Sequence, residues 1–225
     1  MMLRERTFAL ITFRKTGRLR FLGHLDVVRA FDRAIRRAKL PVAYSQGFSP
    51  HTLLSFAMPL PVGIAGEGEL AGLELAHEWD PRAVYKSLSR QLPPDLGIVG
   101  VQMLQKSKRS PFADLAAADY RADLMGLDDA ALAQAVHSLE RRPELIVHRS
   151  TKTKDLDLDL KSRIRGLKTD GPALLMRVGQ GQDNMAKPEE VLELLAREVG
   201  QPLDVACLTR LALYTERQLP FTAAL

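Results

Sequence analysis

The sequence predicts an α+β protein built as two tandem ferredoxin-like domains, each a split βαβ unit with an antiparallel sheet. Three observations lead there. Apolar runs of period two alternate with amphipathic runs of period 3.6 in the order strand, helix, strand, strand, helix, strand. A similar order begins again after residue 114. Between the halves, residues 105–113 (QKSKRSPFA) are polar, basic and proline-containing, as linkers are. The domains are expected at 1–106 and 114–225, the second with an extra strand or a long hairpin.

In the first half, residues 6–14 (RTFALITFR) read as a strand, with Phe8 and Leu10 on one face and Ala9, Ile11 and Phe13 on the other. Both faces are apolar, so it belongs in the middle of a sheet covered on both sides. Residues 15–18 form a turn. From 24 to 40, Leu25, Val28, Phe31, Ile35 and Ala38 recur at helical spacing, and Arg29, Arg33, Arg36 and Arg37 fall mostly off that stripe. Gly23 takes the cap position, Asp26 sits where a capping-box acid would, and Pro41 stops the helix. Residues 42–51 are a loop by their Ser, Gly and Pro content. Strands at 52–60 and 69–76 flank a Gly-rich hairpin turn at 63–66. Asp80-Pro81 opens a helix over 81–91, Pro93-Pro94 ends it, and 97–104 is again a strand.

In the second half, 117–124 is a strand with Tyr120, Ala122 and Leu124 inward, and Asp128-Asp129 caps a helix through Arg141. Strands follow at 144–149, 155–165 and 172–179, the last two joined across an Asp170-Gly171 turn. The strand at 144–149 breaks the repeat and reads as one arm of a long bent strand interrupted at 150–154. A helix over 188–199 opens with Pro188, and 206–216 is the final strand.

Composition narrows the function classes. One cysteine, Cys207, excludes an internal disulfide and a Cys-ligated zinc or iron–sulfur site. No run of about 18 apolar residues exists, so no membrane span is expected. The first residues lack the apolar core and cleavage site of a signal peptide, which points to the cytoplasm. The net charge of +5 is unevenly spread. Eleven bases lie in the first fifty residues, opposed there only by Glu5, Asp26 and Asp32. A one-sided basic surface suits a phosphate-bearing partner, and it also suits an ordinary solvated face.

The loop Tyr44-Ser45-Gln46-Gly47-Phe48-Ser49-Pro50-His51 is hardest to explain by folding alone. Two aromatics, several hydroxyls, an amide and an imidazole suit base stacking and edge hydrogen bonding on a single strand. The alternative is that both rings fold inward and the polar groups satisfy the turn. His24 and His51 sit at opposite ends of the first helix unless the chain from Pro41 runs back along it. With no third ligand in view, no metal site is expected. His24 also reads as an orienting residue at a helix start. Residues 155–165 alternate, with Leu156, Leu158, Leu160 and Ile164 on one face and Asp155, Asp157, Asp159, Lys161, Arg163 and Arg165 on the other. Three Asp about 7 Å apart on one strand are too far apart for one ion, so they read as a solvated face. Lys152 and Lys154 lie beside its basic end. No phosphate-binding Gly loop, G-x-S-x-G elbow or zinc spacing is present.

The segment RFLGHLDVVRAFDRAIRRAKLPVAYSQGFSPHTLLSFAMPLPVGIAGEGELAGLEL resembles the radical SAM-linked conserved bacterial proteins, a family of unknown biochemical function found beside or fused to radical SAM enzymes. The resemblance covers residues 12–75 through the HLD helix start, the RAxRRA helix, the YSQGFSPH loop and the SFAxPLPVG strand. It is looser at YRADL and DLDLK. Gly23 stands where Ser is usual in that family. This sequence contains no radical SAM domain, so the resemblance implies a radical SAM enzyme acting in trans. Tandem ferredoxin-like halves with a basic first helix are also similar to the CRISPR repeat-processing endoribonucleases of the RAMP superfamily, which bind RNA and in many cases cleave it without metal. Their Gly-rich loop near the C-terminus is missing here.

These readings converge on a cytoplasmic accessory protein that binds RNA, tRNA or rRNA, and presents it to a radical SAM enzyme, with no cofactor of its own. The expected surface joins Lys15, Arg18, Arg20, Arg29, Arg33 and Arg36 to Tyr44, Ser45, Gln46, Phe48, Ser49 and His51. One rival is metal-independent RNA cleavage, with His24 or His51 as general base and Tyr44 or Ser49 assisting. A second is a protein-interaction module that docks a partner through the apolar strand at 53–60.

Overall fold

The computed structural model describes residues 7–105, 110–150, 155–181 and 184–215. It is α+β and forms two compact units, one reaching Asp114 and the next beginning at Leu115. The first contains β1 (Thr7–Lys15), a 3-10 turn (Gly17–Phe21), α1 (His24–Ala38), β2 (Leu54–Phe56), β3 (Ala65–Leu75), α2 (Pro81–Ser89) and β4 (Ile98–Gln105). β1 pairs antiparallel with β3 and β4, and β2 with β3, so the order is β4-β1-β3-β2. This is the split βαβ arrangement.

The central place of β1 follows from its two apolar faces. Ala9, Ile11 and Phe13 enter a core with Val27, Phe31, Ala34 and Ile35 of α1 and Val84 and Leu88 of α2. Leu10, on the other face, is also buried. Each large apolar side chain so buried contributes about 2 kcal/mol, which far exceeds helix propensity in holding α1 to the sheet. Gly72 of β3 has a steric reason. An added Cβ would lie 2.0 Å from the Phe8 ring, which rests on that strand.

Several boundaries differ from the expected ones. The buried stripe of α1 is Val27, Phe31, Ala34 and Ile35, while Leu25 is 66% exposed. Leu25 precedes Val27 by two residues and so points about 200° away round the helix. The helix stops at Ala38 rather than Leu40. Lys39 takes a left-handed conformation (φ 51°) and its N–H donates to the Arg36 carbonyl. Pro41 drives Leu40 out of helical geometry, so the reversal falls one residue earlier. β2 shrinks to three residues because Pro59 and Pro61 carry no amide donor. β3 begins at Ala65, and Gly66 pairs opposite Lys15, so the expected turn residues 65–66 belong to the strand.

The second unit contains β5 (Leu115–Met125), α3 (Asp129–Arg141), β6 (Ile146–Ser150), β7 (Asp155–Asp159), β8 (Ile164–Asp170), β9 (Ala173–Gly179), α4 (Pro188–Val199) and β10 (Asp204–Thr215). The sheet order β10-β5-β9-β8, all antiparallel, repeats the split βαβ plan. Asp128 caps α3 by accepting from the Ala130 and Ala131 amides. β6 and β7 form a separate antiparallel hairpin inserted between α3 and β8, not one bent strand. The expected strand 155–165 is broken after Asp159. Leu160 accepts from the amides of Arg163 and Ile164, and Asp159 accepts from those of Leu145 (2.8 Å) and Lys161 (2.9 Å). Those backbone donors hold the Asp159 carboxyl below its usual range. Leu160 is buried past the strand end, and Leu156 is exposed instead of inward. Gly171, at φ 55°, makes the tight turn between β8 and β9.

Residues 106–109 of the expected linker, with Lys152 and Lys154, lie outside the described residues. Phe112, at the linker's far end, packs edge-on against Phe8. Among the described residues no helix is long and apolar enough to cross a membrane.

Candidate nucleic-acid interface

The loop after α1 is itself a small ladder. Ala43 donates to the Glu74 carbonyl, Leu53 to Ala43, and Glu74 to Leu53. Tyr44 bridges Thr52, and the Ser45 amide donates to the His51 carbonyl at 2.9 Å. The Ser45 hydroxyl accepts from the His51 amide at 3.1 Å and lies 2.8 Å from His51 Nδ1. These bonds close the neck of the loop and push residues 46–50 outward.

The rings do not fold inward. Phe48 is completely exposed and Tyr44 is 47% exposed, with Gln46, Ser49 and His51 exposed beside them. The neck is fastened to α1 where the Thr52 hydroxyl donates to Asp32 at 3.2 Å. Fully exposed, Phe48 gains nothing from burial, so its ring contributes nothing to folding at this tip.

On α1, Arg29, Arg33 and Arg36 are exposed. Arg29 faces Asp26 at 3.4 Å and Arg36 faces Asp32 at 2.9 Å. Exposed pairs of this kind are worth about 0–1 kcal/mol, so neither withholds its guanidinium from a phosphate. Arg37 is instead committed to Gln91, through its side chain and its carbonyl. Arg18 is exposed, and Arg20 lies 4.8 Å above the ring of Phe21, itself 57% exposed. The Arg20–Phe21 neighbours are the one signal in the sequence that would have added an aromatic to this surface.

Lys15 does not belong to the surface. It is buried, and its ammonium donates to the carbonyls of Leu22 (3.2 Å) and Pro61 (3.4 Å). It lies at the end of β1, on the face that the 3-10 turn covers, so it ties the two segments together.

The two histidines are not brought together. His24 begins α1 with its ring edge-on to Phe56, which packs on Phe13 and Phe31. His51 stays with Ser45 on the neck, and the neighbouring Thr52 meets α1 at Asp32, about 12 Å along the axis from His24. The chain from Pro41 therefore returns only half-way. A pocket that admits little more than a water separates His24 from buried Lys15 and Glu69. Asp157 pairs with His148 at 2.9 Å and Asp159 serves the turn, so the Asp155, Asp157 and Asp159 series is divided between separate tasks. Among the described residues no three His, Cys, Asp or Glu side chains cluster as a metal site would require.

Residues 9–188 match the family described as an uncharacterized protein conserved in bacteria (DUF2344). No functionally curated protein matches the chain in sequence. Among solved structures it is similar to a chain of a Cbf5-Nop10-Gar1 complex, with TM-score 0.48 and 13% identity over 90% of this chain and 47% of the other. A chain of the archaeal box H/ACA sRNP Nop10-Cbf5 complex follows at TM-score 0.43 and 13% identity, covering 90% of this chain and 46% of that one. An unknown protein from Galdieria sulphuraria is similar at TM-score 0.27 and 14% identity over 92% and 99% of the two chains. The chain thus spans about half the length of the first two.

Proposed function

The chain belongs to this conserved bacterial family of uncharacterized proteins, and we propose that it is a cytoplasmic RNA-binding accessory protein that presents tRNA or rRNA to a radical SAM enzyme acting in trans. The observation that carries the RNA half is the tip of the loop at 44–51. Phe48 and Tyr44 stand in solvent on a neck braced by Ser45, His51 and Thr52, next to a helix bearing Arg29, Arg33 and Arg36. Exposed rings stack on unpaired bases, and guanidinium groups draw in the backbone. The enzyme half rests on the resemblance of residues 12–75 to radical SAM-linked proteins.

The RNA half is tested by fluorescence anisotropy with short single-stranded RNA at low salt. Phe48→Ala is expected to weaken binding by about 1–3 kcal/mol, as loss of one stacked base does, with no change in melting temperature. Arg29→Ala with Arg33→Ala is expected to weaken it and to lower the salt slope. Undetectable binding, or binding indifferent to the arginine pair, overturns this reading. Pull-down of a radical SAM enzyme from cells of the same source tests the other half.

The 2.8 Å approach of Ser45 to His51 favours one second reading, in which His51 is the base of a metal-independent RNA cleavage. Cleavage of a mixed RNA pool that disappears in His51→Ala would select it.

A further inference from the structure

The strand pattern of the second unit separates two faces of its sheet. Tyr120, Ala122 and Leu124 of β5 and Leu174, Met176 and Val178 of β9 are buried on one. The intervening residues share the other. The register sets Asp119 opposite Arg177, Arg121 opposite Leu175, Gly166 opposite Arg177 and Lys168 opposite Leu175. On this second face lies a groove of about 300 Å³, shallow and open to solvent, with Leu175 and Leu211 in its lining.

The charges of the groove are not balanced. Asp119 is its one acidic lining residue, and both its oxygens are engaged. Arg177 donates Nε to Oδ1 at 2.6 Å and Nη2 to Oδ2 at 2.8 Å, and the Tyr214 hydroxyl donates to Oδ2 at 2.7 Å. The Arg177 guanidinium also lies 4.2 Å from the Tyr214 ring centre. This arrangement neutralises Asp119 and Arg177 together and fixes both. Arg165 and Lys168 also line the groove, are exposed, and make no ion pair among the described residues. Two cations thus stand beside an apolar floor. At Gly166, between them, an added Cβ would meet nothing within 4 Å, so the glycine leaves the groove open where a side chain would occupy it.

We propose that this groove is a second nucleotide site, in which Arg165 and Lys168 hold one phosphate of a single-stranded RNA while Leu175 and Leu211 support its base. The volume is at the lower end of the range for small-ligand sites and suits one nucleotide. The open form lets the strand continue on either side, which an enclosed pocket would forbid. The ligand class rests on the RNA reading above, but the site shares no residue with the loop or with α1.

The test is anisotropy of the full chain with a fluorescein-labelled 12-nucleotide single-stranded RNA across a salt series. Arg165→Ala combined with Lys168→Ala is expected to weaken binding by about tenfold or more, and to lower the log–log salt slope by about 0.7, the value for one single-strand phosphate. Gly166→Leu, which fills the groove without altering charge, is expected to weaken binding while leaving that slope unchanged. If either variant fails to fold by circular dichroism, the other decides. If groove variants bind like the parent while Arg29→Ala with Arg33→Ala weakens binding, the groove proposal is overturned and the α1 surface stands. If the groove variants weaken binding and the α1 pair does not, the groove stands and the α1 surface falls. Absence of binding at low salt overturns both.

Discussion

The hydroxyl of Thr52 donates to Asp32 at 3.2 Å across twenty residues of chain, fastening the neck of the aromatic loop to the middle of the arginine-bearing helix. Thr52 is buried, and Asp32 shares its second oxygen with Arg36. Thr52→Val keeps the shape and removes the bond. It is expected to lower stability by about 1 kcal/mol in thermal unfolding and to weaken RNA binding, whereas Thr52→Ser restores both. Parent-like binding in the valine variant would show that the anchor is irrelevant to the surface.

Arg149 of β6 and Glu190 of α4 form a bidentate pair at 2.7 Å with both side chains largely buried. Burial pushes the Glu190 carboxyl up, but Arg149 and the Lys187 amide more than offset this and leave it below 4.5. Its contribution to stability is therefore present above the unfolded-state value and is lost as pH falls through the folded one. Arg149→Met leaves the carboxylate buried with the amide alone, at an expected cost of about 3–5 kcal/mol near pH 7. In that variant burial dominates and the shift reverses, so the deficit begins to shrink as pH falls through the raised folded value toward the usual carboxyl range. Chemical denaturation at pH 7 and pH 4 compares the two.

Lys39 is the one non-glycine residue with positive φ among those described. Its left-handed geometry costs about 1 kcal/mol that glycine does not incur. Lys39→Gly is expected to raise the unfolding free energy by roughly that amount. A destabilised variant would show that the Lys39 side chain compensates the strain.

His148 Nδ1–H donates across the hairpin to the Asp157 carboxylate at 2.9 Å, and that hydrogen bond raises its pKa above the ordinary imidazole value. The pair then supports the hairpin below the unfolded-state value, and its support is lost as pH rises through the folded one. NMR titration of the His148 ring is expected to show a midpoint above 6.5 that moves back toward it in Asp157→Asn. A midpoint that the substitution leaves unchanged would assign the shift elsewhere.

Some of the candidate surface was legible early. Arg29, Arg33 and Arg36 stand off the apolar stripe because three- and four-residue spacing places them there in any helix. Phe48 between Gly47 and Ser49, flanked by turn formers, has no apolar neighbour in sequence to pack against. The burial of Lys15 is not legible in the sequence, because it depends on the carbonyls of Leu22 and Pro61, and no local pattern reveals that two distant segments converge on one ammonium. The groove on the second sheet was equally hidden. Arg165 and Lys168, three residues apart, line one groove with Leu175 and Leu211 because the register of β8 shifts between Ile164 and Gly166, which no local pattern reveals.

The sequence by itself determined the α+β class, the order of elements and the turn at Asp170-Gly171, because periodicity, proline and glycine act over a few residues. Tertiary structure decided where strands stop and which charges are buried. Asp159 breaks its strand because the Leu145 amide, fourteen residues away, is there to be satisfied. Hydrogen bonds between segments distant in sequence carry that information, and only the folded chain brings those segments together.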